Sequence, residues 1–287
     1  MSGENPVVAA APDGLWIGIS GTLMRLDFDL HTNLSARMPF EATSPFSAID
    51  VGSSKVWLGT RGSGLIEFDK TTQKIQHYTE KDGLLMDDVS ALRVLGDTLW
   101  IGYGKEFGGG LGKLDLKTRT CTSFGASMYT DSAVTMPPRS PVTEIRPGPD
   151  GDIWFIANLT LARYRVAKNL WEALPNKEGV AVGCFETDGE HLIKSLGLAQ
   201  LGLAIETIHG SERRLLDAGA LPSVPTTLTF VEHDLWIGGL GFVALVDLQE
   251  NKIKKIAYVS ARSVDTIQRG GGYLWVQCDK HIYRMRL

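Results

Sequence analysis

Aromatic and charged residues come together in two long loops implied by the sequence, and their chemistry suits the binding of a sugar or a peptide. The loops are Tyr103 to Gly110 and residues 125–141, "GASMYTDSAVTMPPRSP". The candidate ligand-binding residues are Arg61, Asp87, Asp88, Tyr103, Lys105, Glu106, Phe107, Tyr129 and Arg139. The alternative is that these are ordinary exposed residues of an insertion, because a surface loop can be lengthened at little thermodynamic cost.

A second set of polar residues stands about seven positions before a tryptophan that recurs along the chain. Its members are Asp50, Arg93, Arg146, Glu186, Thr229 and Gln268. If they line a common channel, Asp50 lies beside Arg93 and Arg146 beside Glu186, and the polar ring could hold a ligand or an ion. The alternative is a water-filled channel lined by paired charges, because charges that cannot avoid burial tend to pair.

The sequence contains no Ser/His/Asp spacing, phosphate-binding loop or metal-ligand cluster. Of the six histidines we expect only His281, in the turn "CDKHI", on the same face as the loops, and we interpret it there as a solvated turn residue. Cys121, Cys184 and Cys278 are far apart, form no CxxC pair and are interpreted as small buried thiols. We therefore assign no catalytic residue, metal or cofactor. A lyase or a glycoside hydrolase acting from the loop face is the alternative function.

A sequence motif that recurs along the chain, called the repeated phrase below, determines where these residues lie. "VWLGTRGSGLIEFD" at 56–69 is followed by "LWIGYGKEFGGGLGKLD" at 99–115, with constant ends and a glycine-rich middle of variable length. Successive copies are 41, 43, 54, 38, 44 and 39 residues apart, as marked by Trp16, Trp57, Trp100, Trp154, Leu192, Trp236 and Trp275. This period matches one four-stranded blade of a β-propeller.

We therefore predict an all-β, seven-bladed β-propeller with four-stranded antiparallel blades, folded as a single domain over residues 1–287. Each tryptophan should pack between adjacent blades, and the glycine that often follows two positions later should leave room for the neighbouring sheet. The last blade ends after its third strand, "HIYRMRL". Either that blade has three strands, or the chain is a piece of a longer protein. We favour the second possibility, because an uncovered strand edge promotes aggregation.

The stretch "VWLGTRGSGLIEFDKTTQKIQHYTEKDGLLMDDVSAL" resembles the two-component-regulator propeller repeat. The resemblance runs along essentially the whole chain. It is sharp at 46–120 and 226–250 and weak at blade five, where Leu192 replaces the tryptophan. It implies a seven-bladed propeller of the kind found in the extracytoplasmic sensing part of hybrid histidine kinases. Such proteins often contain a second propeller and a dimerising domain, and they are associated with sensing carbohydrate fragments.

The charge balance argues against nucleic acid as a partner, because 29 basic residues are scattered among 33 acidic ones and the net charge is −4. No apolar run approaches the length needed to span a bilayer, and we expect no targeting signal in these residues. We expect a non-catalytic ligand-sensing or protein-interaction propeller, the sensor part of a larger signalling protein, that binds a carbohydrate or peptide on its loop face. It would be periplasmic or extracellular if it belongs to a membrane sensor.

Overall fold

A computed structural model of the chain describes residues 4–38, 44–104, 108–125, 140–174, 180–197, 202–209, 212–216 and 221–287. These residues have an all-β propeller fold built from antiparallel blades, with two short 3₁₀ helices at Glu80–Asp82 and Val166–Lys168. Within this part of the chain, no helix has the length and apolar character required to cross a membrane. Two compact units are formed, Met1–Pro147 with Gly151–Leu174, and Gly148–Asp150 with Pro175–Leu287.

The first unit contains four sheets of four strands each, and neighbouring strands within a sheet are consecutive in the sequence. The first two sheets are formed by β1 (Val7–Ala11), β2 (Gly14–Ile19), β3 (Thr22–Leu26) and β4 (Thr32–Arg37), and by β5 (Phe46–Val51), β6 (Lys55–Thr60), β7 (Leu65–Asp69) and β8 (Ile75–Tyr78). The next two are formed by β9 (Val89–Leu95), β10 (Thr98–Tyr103), β11 (Gly110–Asp115) and β12 (Cys121–Gly125), and by β13 (Val142–Pro147), β14 (Ile153–Ala157), β15 (Thr160–Arg165) and β16 (Leu170–Ala173).

The second unit contains one four-stranded and one five-stranded sheet. The four-stranded sheet is formed by β17 (Val182–Thr187), β18 (His191–Leu196), β19 (Leu203–Thr207) and β20 (Arg213–Leu216). The five-stranded sheet is formed by β21 (Pro225–Val231), β22 (Asp234–Asp247), β23 (Lys252–Gly270), β24 (Tyr273–Cys278) and β25 (His281–Arg286).

The prediction of seven separate blades therefore differs from the six sheets observed, and the difference lies in the last sheet. Strand β23 is 19 residues long and takes up both the predicted outer strand of blade six and the inner strand of blade seven. Its first part pairs with β22, from Lys252 to Ser263, and its last part pairs with β24 from Val264 onward. The connection between the two predicted blades is so short that the backbone stays extended from one pairing to the other.

The closing aspartate of the repeated phrase stabilises the turn after the third strand. In β7 the carboxylate Oδ1 of Asp69 accepts the backbone N–H groups of Thr71 and Thr72, at 2.9 and 2.7 Å. Three other copies use the same contact, at Asp27, Asp115 and Asp247. Aspartate is favoured there because its short side chain can bond the backbone two residues ahead. The constant end of the phrase is thus a turn signal.

Trp16, Trp57 and Trp100 lie between successive sheets, as the sequence predicts. Trp16 packs with Phe46 and Leu58 of the second sheet, and Trp57 packs with Val89 of the third. The glycine two residues later explains the close approach, since a Cβ on Gly59 would lie 2.6 Å from the Val89 side chain. Any larger residue at that position would push the next sheet away.

A side-chain hydrogen bond links neighbouring innermost strands near their first residue. A β-bulge interrupts these strands at Ser47, Ser90 and Thr226. The bulge hydroxyls of Ser47 and Ser90 donate to a backbone carbonyl of the next sheet, at Val89 and at Val142 (2.6 Å), and that of Thr226 donates to Val264 of β23 in its own five-stranded sheet (2.7 Å). The loops at this end of the sheets therefore rest on strands that are fixed to one another.

Candidate ligand-binding face

The structure brings together three of the predicted ligand-binding residues, Arg61, Asp87 and Asp88. They lie where β6 ends and β9 begins, close in sequence to Val89, which accepts the hydrogen bond between the second and third sheets. Arg61 forms an isolated β-bridge with Asp88. The backbone N–H groups of Gly62 and Gly64 donate to the Asp87 carbonyl, at 3.1 and 2.7 Å. The turn after β6 is thereby tied to the residues that precede β9.

The segment that connects β8 to β9, residues 79–88, is held in place by hydrogen bonds. Thr79 and Asp82 form a reciprocal capping box around the 3₁₀ helix Glu80–Asp82. The backbone N–H and hydroxyl of Thr79 hold the pKa of Asp82 below its usual range. Asp87 Oδ1 accepts the Glu80 backbone N–H at 2.9 Å, and the Asp87 N–H donates to Glu80 Oε1 at 3.3 Å. The Asp87 carboxylate therefore has a structural role, and its availability to a ligand is reduced.

Asp88 is different, because its Oδ1 atom is buried and has no hydrogen-bond partner within the described ranges. Its backbone carbonyl accepts the Gly104 N–H at 3.0 Å. Pro45 and Pro141 occupy the equivalent positions in the adjoining sheets, where their carbonyls accept from Arg61 and Asn158. An acidic residue at a position that is proline in both adjoining sheets was a sequence signal for this site.

Tyr103 is a core residue, which corrects its prediction as part of the exposed site. It is the last residue of β10, and alternation along the strand places it on the same face as Leu99 and Ile101. Its side chain is 1% exposed, and burial raises its pKa. The ring lies so close to Gly112 that a Cβ there would be 2.8 Å from it. Strand periodicity could have identified this burial.

The other predicted residues of the site, Lys105, Glu106, Phe107, Tyr129 and Arg139, lie outside the described residues.

The predicted channel residues make contacts within their own units. Asp50 and Arg93 come together, with 4.0 Å between Oδ1 and Nη1, and Asp50 Oδ2 accepts the Val94 N–H at 2.5 Å. Arg146 forms an ion pair with Glu144 at 2.8 Å. In the second unit, Glu186 accepts the Thr187 N–H at 3.0 Å, while Thr229 and Gln268 pair in register with Trp236 and Trp275.

Two buried ionic clusters were missed by the sequence analysis. Glu67, 3% exposed, contacts Lys55 at 3.0 Å and also contacts Arg119. Lys194, 2% exposed, contacts Glu206 at 2.9 Å. Both carboxylates stand directly opposite a marker residue, Trp57 and Leu192 respectively. A charged residue at that register position was the available signal.

Serine and histidine side chains near the candidate site are not arranged for nucleophilic catalysis. His77 Nε2 contacts the backbone carbonyl of Ser63, and the Ser63 hydroxyl donates to Ser44 Oγ at 2.7 Å. A general base would instead have to accept the proton of the nucleophile. His281 is exposed, and its ring lies 6.2 Å from that of Tyr283. No group of three His, Cys, Asp or Glu side chains in the described segments could hold a metal ion.

Neither a protein-family sequence profile nor a curated protein sequence matches the chain. Solved structures do resemble it. The extracellular domain of a protein proposed to be a one-component system from B. thetaiotaomicron superposes with a TM-score of 0.77 at 16% identity, covering 99% of this chain and 38% of that one. The extracellular domain of a proposed hybrid two-component system from B. thetaiotaomicron gives 0.73 at 17% identity, covering 98% and 40%.

A third similar structure is an enzyme, a catalytically inactive variant of virginiamycin B lyase from Staphylococcus aureus solved with quinupristin. Its TM-score is 0.76 at 14% identity, covering 100% of this chain and 96% of the lyase. At these identities the likeness shows a shared fold alone. The chain spans about two fifths of the length of the two sensor-type structures and nearly the full length of the lyase.

Proposed function

We propose that this protein is a non-catalytic ligand-sensing or protein-interaction propeller, related to the two-component-regulator repeat family and forming the sensor part of a larger signalling protein. The fold shared with two extracellular domains of signalling systems supports this proposal, as does the 38–40% of their length that the chain matches. A periplasmic or extracellular location follows from the same relationship. Seven repeats of the phrase support seven blades in one domain, the sixth and seventh sharing β23.

The observation that carries the ligand site is the buried Asp88 Oδ1, which has no partner among the described residues, on the residue that bridges with Arg61. A buried carboxylate oxygen without a hydrogen bond is costly to the folded protein, and a ligand hydroxyl or N–H group would remove that cost. Arg61 is exposed and offers donors to a ligand oxygen. A carboxylate acceptor and a guanidinium donor on two residues joined by a β-bridge match the hydroxyl groups of a sugar or the amides of a peptide.

The site is also preorganised. The Asp87 carbonyl binds the Gly62 and Gly64 N–H groups, and the Ser47 and Ser90 hydroxyls fix the strands beneath. Because these contacts exist before a ligand arrives, little conformational entropy would be lost on binding. We therefore place the ligand at Arg61 and Asp88, with Asp87 supporting the loop.

A lyase acting from the same face is the second candidate, favoured by the match to nearly the whole of virginiamycin B lyase. Such an enzyme needs a base within hydrogen-bond reach of the substrate proton. Turnover of quinupristin would support this candidate. Binding without turnover would support sensing.

The test is calorimetric titration with neutral and uronic-acid oligosaccharides and with short peptides. We expect one class to bind, and Asp88→Asn and Arg61→Ala each to weaken binding at least tenfold. Lys117→Ala, at an exposed turn outside this site, is the control. Equal affinity in all four proteins would refute the site.

A further inference from the structure

Arg61 and Asp88, both within the described residues, carry opposite charges on directly opposed positions but form no ion pair with each other. The side chains of opposed residues begin about 4.5–5.5 Å apart at Cβ, which is well within the reach of an arginine to a carboxylate. In the part of the chain that the structure describes, neither side chain has a hydrogen bond or an ion pair with another residue. Distance therefore does not explain why the two charges stay apart.

Opposed residues of opposite charge behave differently elsewhere in the described sheets. Three such pairs form ion pairs across their strands: Lys55 with Asp69 and Arg163 with Glu172, both at 2.5 Å, and Arg213 with Glu206 at 2.9 Å. In a fourth, Asp247 and Lys252, each charge contacts another residue, Lys254 and Glu250 respectively. Opposite charges that meet across strands stabilise a sheet. At the Arg61–Asp88 bridge the protein forgoes that contact.

The two side chains lie in different environments. Arg61 is exposed, and its backbone N–H donates to the Pro45 carbonyl at 3.0 Å, which fixes the residue but leaves its guanidinium without a partner in the described ranges. Asp88 is half-buried, and its Oδ1 is shielded from water. A carboxylate forms hydrogen bonds about twice as strong with a positively charged donor as neutral groups form with each other. The site therefore presents an anion and a cation that both lack a counter-ion.

From these two unpaired charges we propose that the site takes a ligand carrying both an ammonium group and a carboxylate, as a free amino acid or a short unblocked peptide does. The ammonium would donate to Asp88 Oδ1, and the carboxylate would accept two hydrogen bonds from the Arg61 guanidinium. This inference rests on the proposed function, because it specifies the ligand of the same site.

Charge distinguishes this ligand from a sugar. A neutral sugar hydroxyl could donate to Asp88 but would leave both charges without a counter-ion. A uronic acid could pair with Arg61, but its carboxylate would also face the acidic segment 80–88, which is unfavourable. That segment contains four carboxylates and one basic residue: Glu80, Asp82, Asp87, Asp88 and Lys81. A simple cation would satisfy Asp88 and leave Arg61 unused.

The test uses the full chain and trialanine, with N-acetyl-trialanine and trialanine amide as derivatives that each lack one charge. We expect trialanine to bind in an NMR titration, and each derivative to bind at least tenfold more weakly. Asp88→Asn should weaken the binding of trialanine at least tenfold but leave that of N-acetyl-trialanine nearly unchanged, because this derivative has no ammonium to lose. Arg61→Gln should likewise spare trialanine amide, so the two variants assign each charge of the ligand to one residue.

Free alanine distinguishes the two sources of this chemistry. An affinity equal to or higher than that of trialanine identifies an amino acid, and tighter binding of trialanine identifies a peptide. Lys117→Gln with Asp97→Asn removes an equal pair of opposite charges from an exposed ion pair and should leave binding unchanged. The comparison of blocked and unblocked peptides on the unmodified protein does not depend on any variant folding.

The inference is overturned if neither trialanine nor alanine binds, if a blocked derivative binds as tightly as trialanine, or if Asp88→Asn and Arg61→Gln leave the affinity unchanged. If an oligosaccharide binds instead and both variants weaken its binding, this inference fails while the proposed function stands. If no probe of either class shows binding that the variants weaken, both fail.

Discussion

Arg119, in the turn between β11 and β12, reaches across to the second sheet and binds the buried carboxylate of Glu67 on β7. Its guanidinium also donates to Gln76 at 2.9 Å and lies over the rings of Trp57 and Tyr78, at 5.8 and 5.4 Å. Burial, reinforced by the Glu67 charge, raises the pKa of Tyr78. One side chain thus joins two sheets through an ion pair and two cation–π contacts.

We predict that Arg119→Ala lowers the free energy of unfolding by about 2–4 kcal/mol, because it leaves Glu67 buried with one fewer cation. Lys117→Ala is the matched control: the Lys117 side chain is 73% exposed in the same turn and forms a surface pair with Asp97, so its loss should leave the stability nearly unchanged. Urea unfolding followed by tryptophan fluorescence measures both. Equal destabilisation by the two variants would contradict the assigned role of Arg119.

We predict that Trp100→Ala destabilises the protein by about 3–5 kcal/mol. The indole is 4% exposed, and its ring lies 6.4 Å from that of Phe124 and 5.9 Å from that of Tyr164. Burial of about 200 Å² of indole and the loss of these contacts both contribute. Tyr258→Ala is the control, since that ring is 76% exposed. An unchanged thermal midpoint for Trp100→Ala would exclude the inter-sheet packing role.

The all-β class, the four-stranded blades and the packing of the tryptophans were predictable because each repeats along the chain. A residue such as Gly59 recurs in the phrase only if the same close approach recurs in space. The continuity of β23 was not predictable, because it depends on the backbone staying extended across one short link. Local sequence pattern does not specify that continuity.

Within the candidate site, Arg61 and Asp88 could be expected near each other because both flank strands whose positions the repeat fixes. Tyr103 was misplaced because it was assigned to the loop when it still belongs to β10. The ion pair between Lys194 and Glu206 was missed because it forms only when β18 and β19 are in register. Properties that depend on register were thus the ones that sequence alone left open.

The buried Lys194–Glu206 pair should respond asymmetrically to mutation. Glu206 also contacts Arg213 at 2.9 Å, so Lys194→Met leaves no orphaned charge and should change the free energy of unfolding by less than about 1.5 kcal/mol. Glu206→Ala removes the carboxylate that Lys194 contacts and should cost about 3 kcal/mol. Burial alone would raise the pKa of Glu206, but Lys194 and Arg213 lower it overall. Urea titration of both variants would reveal the asymmetry, and equal losses would contradict it.

Acid should destabilise the protein through its turn aspartates. The backbone N–H groups of Thr118 and Lys117 lower the pKa of Asp115, and the Glu250 N–H and the Lys254 ammonium lower that of Asp247. A carboxyl with a lowered folded-state pKa stabilises the protein above its unfolded value, about 3.9, and loses this contribution as the pH falls through the folded value. We therefore expect the thermal midpoint to fall below about pH 4. Asp115→Asn keeps a turn acceptor but cannot titrate, so the decline should be shallower. A slope identical to that of the unmodified protein would refute this assignment.

The unpartnered oxygen of Asp88 predicts opposite effects on stability and on binding. Asp88→Asn removes a charge whose Oδ1 is buried without a hydrogen bond, so the free energy of unfolding should be unchanged or should rise by about 1 kcal/mol. Asp87→Asn is the matched control, because that carboxylate already accepts the Glu80 N–H and should be stabilising. If both carboxylates serve folding, both variants should lose stability. If Asp88 instead serves a ligand at the expense of the free protein, only Asp87→Asn should lose stability.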